Sequence, residues 1–395
     1  MRIAIDAMGG DRAPGALAQG AVAASRDLGL AVALVGDRTR LQEELGRLDV
    51  RGLDVEVVHA SEVVRMDDAP TQALRLSDSS LARAMTLVRD GDAGAMVTAG
   101  NTGAAMVAGA HLLGRAPGVE RPAIAVRLPA GDSETVLLDA GANVDTRSTH
   151  LVQFALMGEA YVRVLRHVAA PRVGLLSNGV EEGKGTAAVR EAGPILSRLP
   201  INYVGLLEGH GLFDGAADVV VCDGFAGNVL LKGVEGFGRR VRNRLGAALT
   251  SGVRGRLAAL LLRQRLASLA SELDPASTGG ALLVGLGATV VKAHGGSDAH
   301  AIRNAVSVAA DLAGADVPGE IGRSLAAQLE RIAELGQLEG PDAGTRAGSV
   351  WQALRRRLRR SRPSGSPAPG AESSVGGRPR AEDAAGPVGP SKEQE

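Results

Sequence analysis

Glycine turns that follow short apolar runs carry the residues most able to do chemistry in this chain. Residues 218–232 (DVVVCDGFAGNVLLK) combine an apolar strand, a break at Asp223 and Gly224, and a helical run from Gly227 onward. Such a turn frees backbone N–H groups, and the helix dipole that follows favours negative charge. The spacing therefore predicts a phosphate site, with an ordinary strand-to-helix turn as the alternative.

The few lysines mark the same kind of turn. Of 44 basic side chains only four are lysine, and three of these, Lys184, Lys232 and Lys292, lie in or beside glycine-rich turns. A compact ammonium can approach an anion where a planar guanidinium does not fit. We therefore take Lys184 and Lys292 as phosphate ligands. For Lys232 we favour a helix cap or an ion pair with Glu235.

Alternating strands and helices supply the frame for these turns. Apolar runs predict strands at residues 2–7, 31–35, 55–59, 95–98, 123–127, 135–138, 172–176, 202–205, 219–222 and 288–292. Helical patterns lie between them, including one long helix over residues 70–89. This order predicts an α/β fold with three layers, α/β/α, around a largely parallel sheet. In such sheets ligands bind beyond the carboxyl ends of the strands, where the glycine turns fall.

Composition narrows the class of protein. The 395 residues are 45% hydrophobic with a net charge of +0, so one large domain or two smaller ones can form, and no global field indicates a nucleic-acid binder. The single cysteine, Cys222, excludes an internal disulfide and fits a reducing cytoplasm; we expect a buried bystander rather than a nucleophile. No signal peptide or membrane span is predicted, so we expect a cytoplasmic protein without a metal site.

Two segments depart from the α/β pattern. Residues 239–265 contain eight arginines and no acidic residue, and we assign a basic amphipathic segment to about 239–272. Such a segment suits an acidic partner or an anionic membrane, with a dimer-interface helix as the alternative. Residues 339–395 form a Gly/Pro/Arg-rich tail that we expect to be disordered, outside a catalytic domain at 1–338.

Several common motifs are missing. Only three residues separate Gly179 from Gly183, and Gly185 follows Lys184, so the turn is not a Walker loop. The turn after the first strand is not a GxGxxG fingerprint, and neither GxSxG nor HExxH occurs. Nucleotide kinases, nicotinamide enzymes, serine hydrolases and zinc peptidases are therefore disfavoured.

Six motifs together resemble the phosphate acyltransferase family, often written PlsX. They are residues 4–11 (AIDAMGGD), 98–104 (TAGNTGA), 138–145 (LDAGANVD), 181–185 (EEGKG), 214–215 with 218–232, and 291–295 (VKAHG). The match runs in order from residue 3 to about residue 313. Any one motif is weak, but the ordered set is specific.

The resemblance implies a bacterial enzyme that transfers a fatty acyl group from acyl carrier protein to inorganic phosphate, giving acyl phosphate for phospholipid synthesis. It implies a homodimer without a cofactor, similar in fold to isocitrate dehydrogenase and phosphotransacetylase. It also implies glycerol-3-phosphate acyltransferase as the next enzyme and contact with the inner face of the membrane. A short-chain acyl-CoA enzyme like phosphotransacetylase, and a non-catalytic scaffold, are the alternatives.

With this reaction in view, each candidate residue has an expected role. We expect Lys184 and Lys292 to neutralise phosphate, and Asp223 and His294 to orient a lysine or move a proton. Further polar side chains and glycine N–H groups are expected to bind substrate or the thioester oxyanion: Asp6, Gly9, Gly10, Gly100, Asn101, Thr102, Gly103, Asn143, Gly224, Gly227 and Asn228. Arginines are expected to contact the carrier protein or membrane: Arg240, Arg244, Arg254, Arg256 and Arg263.

Overall fold

An 11-stranded sheet organises the part of the chain that the structure describes. The computed structural model describes residues 1–250, 252–265 and 279–338. Its strands are β1 (Arg2–Asp6), β2 (Ala31–Gly36), β3 (Val55–His59), β4 (Ala95–Thr98), β5 (Ala123–Ala130), β6 (Ser133–Leu138), β7 (Arg172–Leu176), β8 (Asn202–Leu207), β9 (Val219–Val221), β10 (Ala281–Val284) and β11 (Thr289–Lys292). The predicted strands are all confirmed, and β10 was not predicted.

Helices cover both faces of this sheet. They are α1 (Gly15–Leu28), α2 (Arg38–Leu45), α3 (Ser80–Arg89), α4 (Thr102–Leu112), α5 (Ser148–Arg166), α6 (Ala187–Leu196), α7 (Gly224–Thr250), α8 (Gly252–Leu261), α9 (Ala299–Gly314) and α10 (Val317–Leu338). Successive strand residues point to opposite faces, so Ile3 and Ile5 enter one hydrophobic core with α1, α5 and α9. Ala4 enters a second core with α3 and α4. The predicted three-layer α/β/α fold is confirmed.

The strand order divides the sheet into a first half, from β3 to β11, and a second half, from β6 to β8. The strands within each half are parallel to one another. The order is β3-β2-β1-β4-β11-β10-β5-β6-β9-β7-β8. Strands β3, β2, β1, β4 and β11 run parallel, as do β6, β9, β7 and β8. The intervening pairings of β10 with β11, of β10 with β5 and of β5 with β6 are antiparallel. The two halves therefore point in opposite directions.

The register shows where the carboxyl ends of the two halves meet. Val291 of β11 pairs with Leu282, Leu282 pairs with Ala125, and Ala125 pairs with Leu138, the last residue of β6. The carboxyl ends of β11 and β6 thus lie at nearly the same level of the sheet, and the two strands reach that level from opposite directions. The turns that follow β1, β4 and β11 consequently face those that follow β6, β7 and β9.

The predicted long helix over residues 70–89 is wrong. A short 3-10 helix occupies Pro70–Leu74, and α3 begins only at Ser80. Ser79 ends the intervening turn as the helix cap, because its hydroxyl accepts a hydrogen bond from the backbone N–H of Ala82 at 3.3 Å. The carboxylate of Asp78 accepts from the hydroxyl of Ser61 at 2.6 Å, which holds this turn away from the helix axis.

The described part of the basic segment includes the second half of α7 and all of α8, and much of it is exposed. Residues 251 and 266–272 of the predicted segment, the side chains of Arg254 and Arg256, and the predicted tail at 339–395 lie outside the described residues. Throughout the described ranges, no helix combines the length and the apolar character needed to cross a membrane.

Candidate active site

Three turns of the first half pack closely together. The backbone N–H of Asp11 donates to the carbonyl of Gly295 at 2.8 Å, which joins the turn after β1 to the turn after β11. A Cβ atom added at Gly9 would lie 2.8 Å from the backbone nitrogen of Gly100 in the turn after β4. Gly10 has a φ of +101°, a conformation that side chains disfavour. The predicted glycines therefore allow three chain segments to converge.

Asp6, Thr98 and Lys292 stand in register at the carboxyl ends of the same three strands. The hydroxyl of Thr98 donates to Oδ2 of Asp6 at 2.7 Å and accepts from the N–H of Gly100 at 3.0 Å. Burial raises the pKa of Asp6, although hydrogen bonds from Ser80 and Thr98 and the charge of Lys292 oppose the shift. Asp6 is only 3% exposed, so it lies beneath the glycine turns and supports them through Thr98.

Lys292 is the buried cation of this group. It is 8% exposed, and its Nζ donates to the carbonyl of Ala99 at 3.2 Å and to the carbonyl of Ala293. Burial lowers its pKa to about 8, although the carboxylates of Asp6 and Asp11 hold the proton on. The nearby charge of Lys232 on α7 also lowers this pKa.

Asn101 fixes the loop that covers the β4 turn. Its side-chain amide donates to the carbonyls of Met66 and Asp68 at 3.1 and 2.9 Å, and its Oδ1 accepts from the N–H of Ala104 at 3.0 Å as the cap of α4. These bonds use the amide hydrogens expected to serve substrate. Thr102 begins α4, and Gly103 lies against Pro70, where a Cβ atom would be 2.7 Å from Cγ.

A second group of turns belongs to the other half of the sheet. The N–H of Gly224 at the start of α7 donates to the carbonyl of Asn143 at 2.7 Å. A Cβ atom at Gly224 would lie 2.7 Å from the backbone nitrogen of Asn143, and one at Gly227 would overlap the carbonyl oxygen of Asp139. Glycine is therefore required for the start of α7 to approach the turn after β6.

Asp223 and Asn228 lie on this second group. Oδ1 of Asp223 accepts from the N–H of Ala226 at 2.7 Å, so this carboxylate caps the first turn of α7. Asn228 is exposed one turn further on, and its side chain lies 3.5 Å from where a Cβ of Gly141 would be. Of the two, Asn228 is the side chain free to meet a ligand from solvent.

Lys184 lies in the exposed turn that follows β7. Its N–H donates to the carbonyl of Glu181 at 3.2 Å, and the N–H of Gly185 donates to Oδ1 of Asn178 at 2.9 Å. Leu175 of β7 pairs with Val221, and Val221 pairs with Leu138, so the ends of β6, β9 and β7 are aligned. The Lys184 turn therefore flanks the Asn143 and Asn228 turns.

Three further predictions concern residues around these turns. Nδ1 of His294, an exposed residue, accepts from the N–H of Gly296 at 3.1 Å, which shapes the turn after β11. Nζ of Lys232 lies 2.8 Å from Oε2 of Glu235, so the predicted pair is confirmed. Cys222 is buried as predicted, and burial raises the pKa of its thiol.

Asp139 and Thr98 were not singled out from the sequence, although each organises a turn. Asp139 comes directly after β6 and is followed by Gly141 and Asn143, a spacing typical of a carboxylate that accepts from the N–H groups of its own turn. The sequence therefore contained a signal for the role of Asp139. Thr98 carries no comparable signal, because its role depends on the pairing of β4 with β1.

A pocket of about 320 Å³ opens elsewhere, at the amino ends of β4 and β11. Gly94, Pro117, Thr289, Asp316 and Gly319 are among its lining residues. Since it lies at the opposite end of these strands from the glycine turns, we assign the site to the turns.

The fold and the turns define an α/β protein whose glycine-rich turns follow opposed strand ends. Residues 1–320 match the family described as "Fatty acid synthesis protein". A phosphate acyltransferase from Citrifermentans bemidjiense is 46% identical over 87% of this chain and 99% of its own length. One from Nitratidesulfovibrio vulgaris is 48% identical over 78% and 90% of the two chains. The chain belongs to the phosphate acyltransferase family.

Solved structures agree on the fold. A phosphotransacetylase from Streptococcus pyogenes superposes with a TM-score of 0.54 at 16% identity, over 79% of this chain and 94% of that chain. A phosphotransacetylase from Staphylococcus aureus gives a TM-score of 0.50 over the same shares. Family membership makes this chain an acyltransferase that transfers acyl groups to phosphate.

Proposed function

We propose that the acyl donor is a long-chain fatty acyl group on acyl carrier protein, and that the acyl phosphate formed serves phospholipid synthesis. One observation supports the site assignment: the carboxyl ends of β11 and β6 lie at nearly the same level of the sheet, so the turn after the buried Lys292 and the turns of Asn143, Asn228 and Lys184 are proposed to share one site. The resemblance of the six motifs supports the carrier protein as donor.

The reaction requires binding and charge stabilisation more than a strong base. An oxygen of phosphate forms the new bond to the thioester carbonyl carbon, and the bond to sulfur breaks. The thiol has an ordinary pKa of about 8.5, so the thiolate leaves readily and takes up a proton. Lys292 and Lys184 neutralise phosphate, and Asn228 with the N–H groups of the glycine turns donates to the developing oxyanion.

The other proposed site residues act on the shape of this cleft. Asp6 holds Thr98 and the glycine turns, while Asn101 and Asp223 cap the helices whose N-termini face the cleft. Thr102 supplies a backbone N–H at the start of α4. The turn of His294 adds a ring at the rim, where it can orient a phosphate or move a proton.

Helices α7 and α8 carry the proposed protein contacts. Arg240, Arg244 and Arg263 are exposed, and this basic surface suits an acidic carrier protein or an anionic lipid surface. Arg254 and Arg256 belong to the same proposal from the sequence alone.

An apolar ridge on α7 supports a homodimer. Phe225, Val229, Phe237, Val241 and Leu245 recur at four- or eight-residue intervals and are all exposed, Phe237 by 71%. Ridges at four-residue spacing pack against a second helix, and soluble monomers rarely expose so large an apolar surface. A second copy of this chain is the proposed partner. Sedimentation should give a dimer, which Phe237→Glu dissociates; a monomeric wild type would contradict it.

The product places the enzyme before a membrane-bound step. Acyl phosphate is a reactive mixed anhydride, so we propose that glycerol-3-phosphate acyltransferase consumes it at the inner face of the membrane. A cytoplasmic enzyme in peripheral contact with that surface fits this sequence of reactions.

The donor is tested by a comparison of two thioesters. The purified protein is incubated with phosphate and either palmitoyl acyl carrier protein or acetyl-CoA, while released thiol and hydroxylamine-trapped acyl phosphate are measured. We expect phosphate-dependent turnover with the long-chain carrier substrate and at least about 100-fold lower kcat/KM with acetyl-CoA. A preference for acetyl-CoA would indicate a phosphotransacetylase-like enzyme instead.

A further inference from the structure

Asp139 is a fully buried carboxylate in the turn after β6. Its Oδ1 accepts from the backbone N–H groups of Ile124, Gly141 and Ala142 at 2.9, 3.2 and 3.0 Å. Oδ2 accepts from the backbone N–H and the side-chain amide of Asn143 at 2.7 and 2.9 Å. Five N–H groups thus converge on one side chain, which defines the position of the whole turn.

The same turn is in direct contact with the start of α7. Cys222 donates from its N–H to the carbonyl of Leu138 at 2.8 Å, and its thiol lies 3.4 Å from the carbonyl oxygen of Asp139. The carbonyl of Asn143 receives the N–H of Gly224. Asn228 then packs beside Gly141, whose φ is +139°. Any displacement of the turn is therefore transmitted to Asn228.

We propose that Asp139 is a positioning residue for acyl transfer, which holds the turn of Asn143 and thereby sets the location of Asn228. The carboxylate does not contact substrate, because it is enclosed by its own turn and by β5. The inference rests on the proposed function of Asn228 as an oxyanion donor. It adds a residue that acts only through that donor.

Asp139→Asn tests this directly. The amide nitrogen that replaces one carboxylate oxygen faces N–H donors, so the turn must shift. A displacement of about 1 Å at a site residue can cost about 100-fold in rate. We expect kcat with palmitoyl acyl carrier protein to fall by about 10- to 100-fold.

Asp218→Asn is the matched control. Asp218 is also a buried carboxylate and accepts from the N–H of Arg172 at 2.8 Å, but it lies at the amino end of β9, away from the cleft. The Asp218→Asn variant should have a lower melting temperature than the wild type, while its kcat changes by less than about threefold.

A double-mutant cycle separates positioning from simple loss of stability. If Asp139 acts through Asn228, the double variant Asp139→Asn with Asn228→Ala will be no slower than Asn228→Ala alone. Asp218→Asn combined with Asn228→Ala will instead show the product of the two single effects. Multiplicative loss in the Asp139 cycle would overturn the inference while the proposed function stands. No phosphate-dependent turnover in the wild type would overturn both.

Gly141→Ala keeps the test decisive if Asp139→Asn does not fold. The added Cβ would lie 3.4 Å from Cβ of Asn228 in a strained backbone conformation, while the Asp139 carboxylate is kept. We expect it to slow turnover by about tenfold or more, again without further loss when Asn228 is replaced by Ala. Unchanged turnover in a folded Gly141→Ala variant would contradict the proposal.

Discussion

The hydroxyl of Thr98 donates to the carboxylate of Asp6 at 2.7 Å, and this bond joins the carboxyl ends of β4 and β1 beneath the glycine turns. The same hydroxyl accepts from the N–H of Gly100, so one side chain connects the buried acid to the turn expected to bind phosphate. The turn proposed to bind phosphate is therefore supported by polar groups that are buried beneath it.

Thr98→Val removes this connection without changing the shape of the side chain. The lost bond to a buried carboxylate should destabilise the protein by about 1–3 kcal/mol and reduce kcat/KM by about tenfold or more as the Gly100 turn shifts. Thr135→Val is the control, because the buried hydroxyl of Thr135 donates to the carbonyl of Ala217 at 2.7 Å far from the cleft. Equal activity of the two variants at matched temperature would refute this role.

Lys292 should make stability and phosphate binding respond to pH in opposite directions. Its pKa is about 8 when folded and 10.5 ordinarily, so between these values the unfolded chain binds more protons and stability rises with pH. Below that window, burial of the ammonium costs about 3 kcal/mol. The free energy of chemical unfolding is measured for the wild type and for Lys292→Met at pH 7 and pH 10. We expect the difference between the two proteins to change by about 3 kcal/mol between these pH values.

The KM for phosphate should depend on the protonation of Lys292 as well. If only the protonated lysine binds phosphate, the KM should rise by about tenfold between pH 7 and pH 9 in the wild type. Lys292→Met should have a high KM that does not change over this range. The same pH profile in both proteins would remove Lys292 from the phosphate site.

The turn of Lys184 offers a test with little risk to the fold, because its side chain is exposed. Lys184→Ala should lower phosphate-dependent thiol release by at least about 100-fold and leave the melting temperature unchanged. Arg51→Ala, which breaks only the exposed pair with Asp49, should change turnover by less than about threefold. Near-normal turnover of Lys184→Ala at saturating phosphate would exclude Lys184.

The basic surface of α7 is tested by charge reversal. Arg240→Glu together with Arg244→Glu should raise the KM for the acyl carrier protein by about tenfold or weaken binding to anionic vesicles, and added salt should reduce either effect. Arg51→Glu is the control, since Arg51 is 91% exposed and lies before β3. If both KM and vesicle binding are unchanged, the surface has another purpose.

Local sequence signals were sufficient for much of the fold. Apolar runs and glycine turns located ten of the eleven strands in the described residues, because these features are local. They did not predict β10, a four-residue run between glycines whose strand character comes from pairing with β11 and β5. The reversed directions of the two sheet halves depend on that strand, so the facing strand ends could not be derived locally.

The candidate site was likewise predicted only in part from the sequence. The glycines and lysines were found because close approach and compact charge require particular residue types. Asn101 and Asp223 looked like ligand groups, yet each also caps a helix, a role that the position of a polar residue just before a helix equally predicts. Thr98 was missed because its partner, Asp6, is 92 residues away in the chain.

Isotope labelling shows whether phosphate itself attacks the acyl thioester. The wild type is incubated with palmitoyl acyl carrier protein and phosphate labelled with ¹⁸O at all oxygens, and the product is examined by mass spectrometry. We predict palmitoyl phosphate that keeps every labelled phosphate oxygen, at a rate that Lys292→Met reduces strongly. Free palmitate as the first product, formed at the same rate without phosphate, would contradict the account.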